Sequence, residues 1–244
     1  MKNQQKQNSA TSVSLTREPC VSSLSNIAEI FTSIQGEGPY VGVNQMFIRF
    51  CGCNLNCNYC DTEHEKGISY TVDRLLEKIN SYDLSLIHSI SLTGGEPLLW
   101  ADFLKEFLPK INKIIYLETN AILPEKYKEI AEYVDIVSAD IKLPSTTGME
   151  EKFTLHDKFF EAVRQSNKEI FAKIVFDENI TEEEIKKCTN LAQKYDIELI
   201  LQPKTVNNKI SVSSGKITEN FEKFIKLHAK TRLIPQVHKF LKVN

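Results

Sequence analysis

Four of the chain's six cysteines fall in one short stretch, FIRFCGCNLNCNYCDTEH (47–64), as Cys51, Cys53, Cys57 and Cys60. Two chemistries use thiolates bunched in this way. Structural zinc takes four ligands in a tetrahedron, usually as two separated pairs. Here no second pair follows, and the extra ligand within reach is His64, a lone loop histidine of a kind that is usually solvated. The other chemistry uses Cys53, Cys57 and Cys60 alone, spaced C-x3-C-x2-C. Three thiolates from one loop can hold three irons of a [4Fe–4S] cluster and leave the fourth iron without a protein ligand. An open coordination position marks a catalytic site rather than a structural one. Cys51 lies two residues before Cys53 at a strand end, and it reads as a small packing residue. Cys20 and Cys188 read as non-ligands, since a free cysteine behaves as a small hydrophobe.

C-x3-C-x2-C after a strand resembles the signature of the radical S-adenosylmethionine (SAM) enzymes. The resemblance implies that the open iron is chelated by the amino and carboxylate groups of SAM. SAM is then cleaved to a 5′-deoxyadenosyl radical. Tyr59, the residue before the last cysteine, would pack near the adenine. Downstream, LTGGEPLL (92–99) carries two glycines, which let backbone approach a ligand closely. It is similar to the family's GGEP motif, which implies SAM contacts at Thr93, Gly94, Gly95 and Glu96. Polar residues recur at later strand ends, in ETNA (118–121), SADIKLPS (138–145) and LQPK (201–204). By the same resemblance Asn120, Asp140, Lys142 and Gln202 are expected to bind the ribose or carboxylate of SAM. Lys142 would place an ammonium opposite a carboxylate.

A longer segment is more specific. EIFTSIQGEGPYVGVNQMFIRFCGCNLNCNYCDT and the ending RLIPQVHKFL resemble the 7-carboxy-7-deazaguanine synthase family, over about residues 27 to 241. That resemblance implies a radical ring contraction of 6-carboxy-5,6,7,8-tetrahydropterin with loss of ammonia. It also implies Mg2+ on Thr62, an electron donor such as flavodoxin or ferredoxin, and a homodimer. Gln35, Glu37, Gly38, Arg49, Gln236 and His238 become the expected substrate residues. The chemistry of several agrees: a pterin's amide and amine edges suit a Gln amide and a Glu carboxylate, and its carboxylate suits the fork of Arg49.

Such residues need elements to hold them. Alternating apolar runs predict strands at 27–34, 45–50, 86–92, 113–118, 135–140, 169–176, 197–203 and 231–237. Helical spacing predicts helices at 71–82, 101–111, 124–134, 157–166, 181–195 and 216–230. Thr71 is placed as an N-cap, and Thr181 with Glu184 as a capping box. From residue 45 onward this makes six βα units. That is an α/β chain with an open, parallel-stranded partial (β/α)6 TIM-like barrel, whose ligands belong at the carboxyl ends of the strands. Residues 1–25 are polar and aperiodic and read as a tail, leaving 26–244 as a single domain.

Composition narrows the class. Of the 244 residues, 41% are apolar and 25% charged, and the net charge is -2, so no basic excess points to nucleic acid. No apolar run reaches the length of a membrane span, and no signal-like segment opens the chain, so the expectation is a cytoplasmic protein with reduced thiols. Two rivals remain. An activating enzyme for a glycyl-radical protein would share the cysteine spacing but need a broad protein-docking surface. A zinc-stabilised binding module would use all four clustered cysteines.

Overall fold

The structure is a computed structural model and describes residues 23–60, 62 and 64–243. The tail reading for 1–22, and Cys20 with it, lies outside the described residues. Strand β1 (Leu24–Ile34) begins inside the expected tail, and Ser25 is fully buried in it. It runs antiparallel to β2 (Asn44–Phe50), and its first residues also pair with β3 (Ile68–Thr71). On the other side of β2 the strands pair in parallel, in the order β4 (Ser89–Gly94), β5 (Ile114–Thr119), β6 (Ile136–Ile141), β7 (Glu169–Phe176) and β8 (Glu198–Pro203). A hairpin, β9 (Thr205–Val206) with β10 (Lys209–Ile210), follows, and β11 (Thr231–Leu233) closes the order on β8. The nine-stranded sheet reads β11-β8-β7-β6-β5-β4-β2-β1-β3.

Among the described residues, eight α-helices accompany the strands: α1 (Val72–Asn80), α2 (Ala101–Phe107), α3 (Pro124–Lys128), α4 (Pro144–Thr147), α5 (Phe153–Gln165), α6 (Glu182–Tyr195), α7 (Ser214–Leu227) and α8 (Val237–Leu241). Both expected caps form. Thr71 accepts from the Arg74 amide, and Thr181 and Glu184 make the reciprocal capping box. The six βα units are present, with β11 as a seventh parallel strand. The antiparallel β1 and β3 make the sheet mixed rather than purely parallel.

One expectation at the C-terminus fails for a visible reason. The strand predicted to Val237 stops at Leu233, because Pro235 has no N–H to continue a ladder. The chain turns instead, and the Val237 amide bonds the Gly36 carbonyl at 2.8 Å, which seats α8 on the β1–β2 loop. The predicted helix at 124–134 is only α3 and a 3-10 turn at Ala131–Tyr133.

The alternation of each strand sorts its side chains. One phase faces the helices and forms the main core: Met46, Ile48 and Phe50 on β2, Ile90 and Leu92 on β4, Ile170, Ala172, Ile174 and Phe176 on β7. The other phase faces the concave side. Its lower layer is an apolar plug of Tyr116, Ile136, Phe171 and Ile200, with Tyr40 packed against it. Above the plug the same phase turns polar. There the cleft lies.

Candidate active site

The cleft opens at the carboxyl ends of the parallel strands. One end is made by the loop after β2, which brings the thiols of Cys53, Cys57 and Cys60 to line it. All three are free. Burial pushes the Cys53 and Cys57 thiols up, with Lys142 opposing. Cys51 does not line the cleft. It is buried with its thiol against Gly67, and its carbonyl accepts from the Trp100 indole at 2.8 Å. The packing role read for it therefore matches its place, and the four-cysteine zinc arrangement lacks its first ligand here.

The cluster loop is tied down by backbone. The Gly52 amide bonds the His64 carbonyl at 2.9 Å and the Glu96 amide bonds the Gly52 carbonyl at 2.8 Å. This contact explains the two glycines. A Cβ on Gly95 would collide with the Gly52 carbonyl, and one on Gly94 (φ +116) with the backbone of Phe50. Both glycines and Thr93 line the cleft.

Glu96 does not. It is fully buried, and its carboxylate accepts from the Leu98 amide (3.0 Å), the Thr119 hydroxyl (2.9 Å) and the Asn120 amide (2.8 Å). The side chain thus splices the end of β5 to the GGEP turn. Burial pushes its carboxyl up to about 7 against those three hydrogen bonds. Among the expected SAM residues it is the exception: Tyr59, Asn120, Asp140, Lys142 and Gln202 all line the cleft. Lys142 donates to Asp140 at 2.7 Å and to the Tyr59 hydroxyl at 3.3 Å, and sits over the Tyr59 ring. Burial opposes its charge, but Asp140 holds its pKa well above the usual range.

His156 positions Lys142 from below. It is fully buried, with Nδ1 toward the Ala121 carbonyl (3.1 Å) and Nε2 accepting from the Lys142 amide (3.3 Å). Burial lowers its pKa to about 4.

Among the described residues, five buried polar atoms around the cleft have no partner: Asn120 Oδ1, Asp140 Oδ1, Gln202 Oε1, Thr205 Oγ1 and His64 Nδ1. Buried polar groups are normally satisfied. Four of the five are oxygens, the set a ligand rich in N–H and O–H groups would complete. A group of three thiols beside such acceptors fits an iron–sulfur cluster with a polar ligand next to it.

A second cavity abuts the first and shares Glu37, Thr62, Thr93, Glu118 and Gln236 with it. Gln35, Arg49 and His238 line this outer lobe, and α8 forms one wall. Here the polar groups are paired. Gln35 donates to Gln45 (2.9 Å) and Glu118 (3.0 Å), and Arg49 bonds Glu29 (2.7 Å) over the Phe31 ring. Glu37 accepts from Lys173, from Gln236 (2.7 Å) and from Gln202 (3.3 Å). Burial would raise its carboxyl, but Lys173 overrides this and holds it at about 2. Gly38 lines neither cavity. Its positive φ (+67) turns the loop, and a Cβ there would strike the Phe171 ring. Its substrate role as read from sequence has no counterpart in this arrangement.

The comparisons with known proteins agree with this geometry. The profile of the Radical SAM superfamily matches residues 47–208, the span from β2 through the cluster loop to the end of the cleft. The 7-carboxy-7-deazaguanine synthase of Archaeoglobus fulgidus is 38% identical over 90% of this chain and 99% of its own length. That of Geobacter sulfurreducens is 35% identical over 88% and 96%. The chain belongs to the radical SAM superfamily and, within it, to the 7-carboxy-7-deazaguanine synthase family. The crystal structure of QueE from Escherichia coli shares the fold, with a TM-score of 0.61 and 21% identity over 88% of this chain and 95% of that one. Radical SAM membership makes this an enzyme and implies a [4Fe–4S] cluster and SAM as its cofactors.

The cleft residues not singled out from sequence include Glu118, Ser138 and Lys173. Glu118 accepts from Ser91 (3.1 Å), Thr93 (3.2 Å) and Gln35. Each lies on the concave phase of its strand. The available signal was Lys173, the one charged residue inside the otherwise apolar run IFAKIVF.

Proposed function

We propose that this enzyme converts 6-carboxy-5,6,7,8-tetrahydropterin to 7-carboxy-7-deazaguanine and ammonia. The observation that carries the reading is the two-lobed cleft. A lobe with three thiols and unpartnered acceptors meets a lobe lined by Gln35, Glu37, Arg49, Gln236 and His238. A flat bicyclic ligand with a carboxylate and several N–H groups suits the second lobe.

In this reading Cys53, Cys57 and Cys60 hold the cluster, and Tyr59, Thr93, Gly94, Gly95, Asn120, Asp140, Lys142 and Gln202 cradle SAM. When bound, these cofactors supply the electron and the radical that takes a hydrogen atom from C6 of the pterin. Thr62, at the junction of the lobes, offers its hydroxyl to Mg2+, a hard cation that favours oxygen ligands. Arg49 exchanges Glu29 for the substrate carboxylate. Glu37 and Gln236 receive and give the hydrogen bonds of the pyrimidine edge. α8 walls the outer lobe, which favours a small molecule over the glycyl-radical protein of the rival reading. The electron comes from a flavodoxin or ferredoxin, and the enzyme works as a homodimer.

The test is an anaerobic assay. Protein reconstituted with iron and sulfide receives reductant, SAM, Mg2+ and 6-carboxytetrahydropterin, and 7-carboxy-7-deazaguanine is sought by mass spectrometry. Its formation supports the reading. Release of 5′-deoxyadenosine without any deazapurine would keep the radical chemistry and discard the substrate.

A further inference from the structure

Lys173 is absent from every motif, yet it lines the cleft. It stands on β7, a strand whose residues from Ile170 to Phe176 are all buried. Its side chain is 10% exposed. Burying an ammonium is costly unless carboxylates surround it, and three do. Its amine bonds Glu37 directly, lies 3.9 Å from Asp140, and is further stabilised by Glu118. The Asp140 contact is built into the sheet, since Asp140 and Lys173 are Cα partners in the β6–β7 ladder. Glu37 sits in the β1–β2 loop and reaches the same amine from the far side of the concave face.

The result is one chain of alternating charge, Glu37–Lys173–Asp140–Lys142, ending on the Tyr59 hydroxyl. One end of the chain belongs to the outer lobe. The other end reaches the residue between two of the cluster-loop cysteines. Asp140 shares Oδ2 between the two lysines, while its Oδ1 is buried and unpartnered.

We propose that Lys173 is a positioning residue that couples the two lobes by dividing its charge between Glu37 and Asp140. The inference rests on the reading of the thiol lobe as the SAM site, and it goes beyond it by linking that lobe to the outer one. When Glu37 is replaced by a neutral side chain, or its carboxylate is drawn onto a ligand, Lys173 leans on Asp140 alone, and Asp140 becomes a poorer acceptor for the N–H or O–H groups of SAM. Anything that changes the hold of Glu37 on Lys173 therefore changes SAM affinity, and the coupling works equally in reverse.

The test is a double-mutant cycle read on SAM binding, by equilibrium dialysis of anaerobically reconstituted full-length protein without pterin. The four proteins are wild type, Glu37→Gln, Lys173→Met and the double variant. Glu37→Gln is expected to weaken SAM binding about fivefold when Lys173 is present, within the usual range of coupling between sites. In the Lys173→Met background the same change should shift affinity less than about twofold, as expected once the shared partner is gone. A purely structural role for Lys173 would lower the melting temperature without this background dependence. An equal effect of Glu37→Gln in both backgrounds overturns the proposal. If Lys173→Met does not fold, Glu37→Gln alone decides: SAM affinity equal to wild type overturns the coupling. Because no pterin is present, the cycle is independent of the substrate assay. Coupling without deazapurine formation sinks only the substrate, and deazapurine formation without coupling sinks only this inference.

Discussion

The two lobes of the cleft are built on opposite plans. In the thiol lobe the polar atoms are buried and left open, as Asn120 Oδ1, Asp140 Oδ1 and Gln202 Oε1 show. In the outer lobe the groups already hold one another, as Glu37 with Lys173 and Arg49 with Glu29 show. An open acceptor gains a bond when a ligand arrives. A paired group must release a partner first, so its net gain is smaller and its selectivity depends on what the ligand can replace. Under the proposed function, this difference suits the thiol lobe to the cofactors and the outer lobe to a ligand that must match several groups at once.

The largest expected effect breaks the thiol lobe outright. Cys57→Ala should lose iron and sulfide stoichiometry after reconstitution, and product formation with it, while the metal-free chain keeps its fold by circular dichroism. Next is the splice beneath that lobe. Glu96→Ala strands two amides and a hydroxyl, and should cost roughly 3–5 kcal/mol in urea unfolding, since each buried orphan costs about 1–3 kcal/mol. A loss under about 1 kcal/mol, the worth of an ordinary exposed contact, would show that water fills the splice.

Acid titration separates two buried groups of opposite sign. His156, at about 4, has its pKa lowered by burial, so the unfolded chain binds more protons and stability falls as pH drops from about 6.5 toward 4. Glu96, at about 7, has its pKa raised by burial, so the folded chain binds more protons and stability falls as pH rises from about 4.5 toward 7. In wild type the two slopes offset each other. His156→Gln should uncover the Glu96 slope, a loss of roughly 3 kcal/mol between pH 4.5 and 6.5. A variant as flat as wild type in urea midpoints at those two pH values would show that one of the two groups titrates elsewhere.

The smallest effect sharpens the account of the outer lobe. Glu29→Gln releases Arg49 from a half-exposed pair, and should change stability by less than about 1 kcal/mol. It should also lower KM for the pterin, because Arg49 no longer has a competing carboxylate. A raised KM would mean that Glu29 orients Arg49 rather than competing for it.

Much of this architecture was legible beforehand. The alternation of apolar phases marked six βα units, and Thr181 with Glu184 announced the head of α6. The cysteine spacing and the two glycines pointed to the thiol lobe, because local backbone demands are written in consecutive residues. Glu96 misled for the same reason. Its place in the motif was plain, but its three donors come in part from β5, more than twenty residues away. Lys173 and Glu118 were passed over because a strand buried on both faces reads as one apolar run, and nothing local says which phase meets the cleft.

The amino-acid sequence by itself therefore determined the parallel α/β class, the cluster loop and the glycines that let β4 approach it. These follow from periodicity, from thiol chemistry and from the missing Cβ, all properties of short segments. Only the tertiary structure decided that the Glu96 side chain leaves the cleft to splice β5, that α8 folds back onto Gly36, and that Glu37 and Asp140 share Lys173. Those outcomes depend on which segments the fold brings together: the β6–β7 ladder sets Asp140 beside Lys173, and the β1–β2 loop carries Glu37 to the same amine from 136 residues away along the chain.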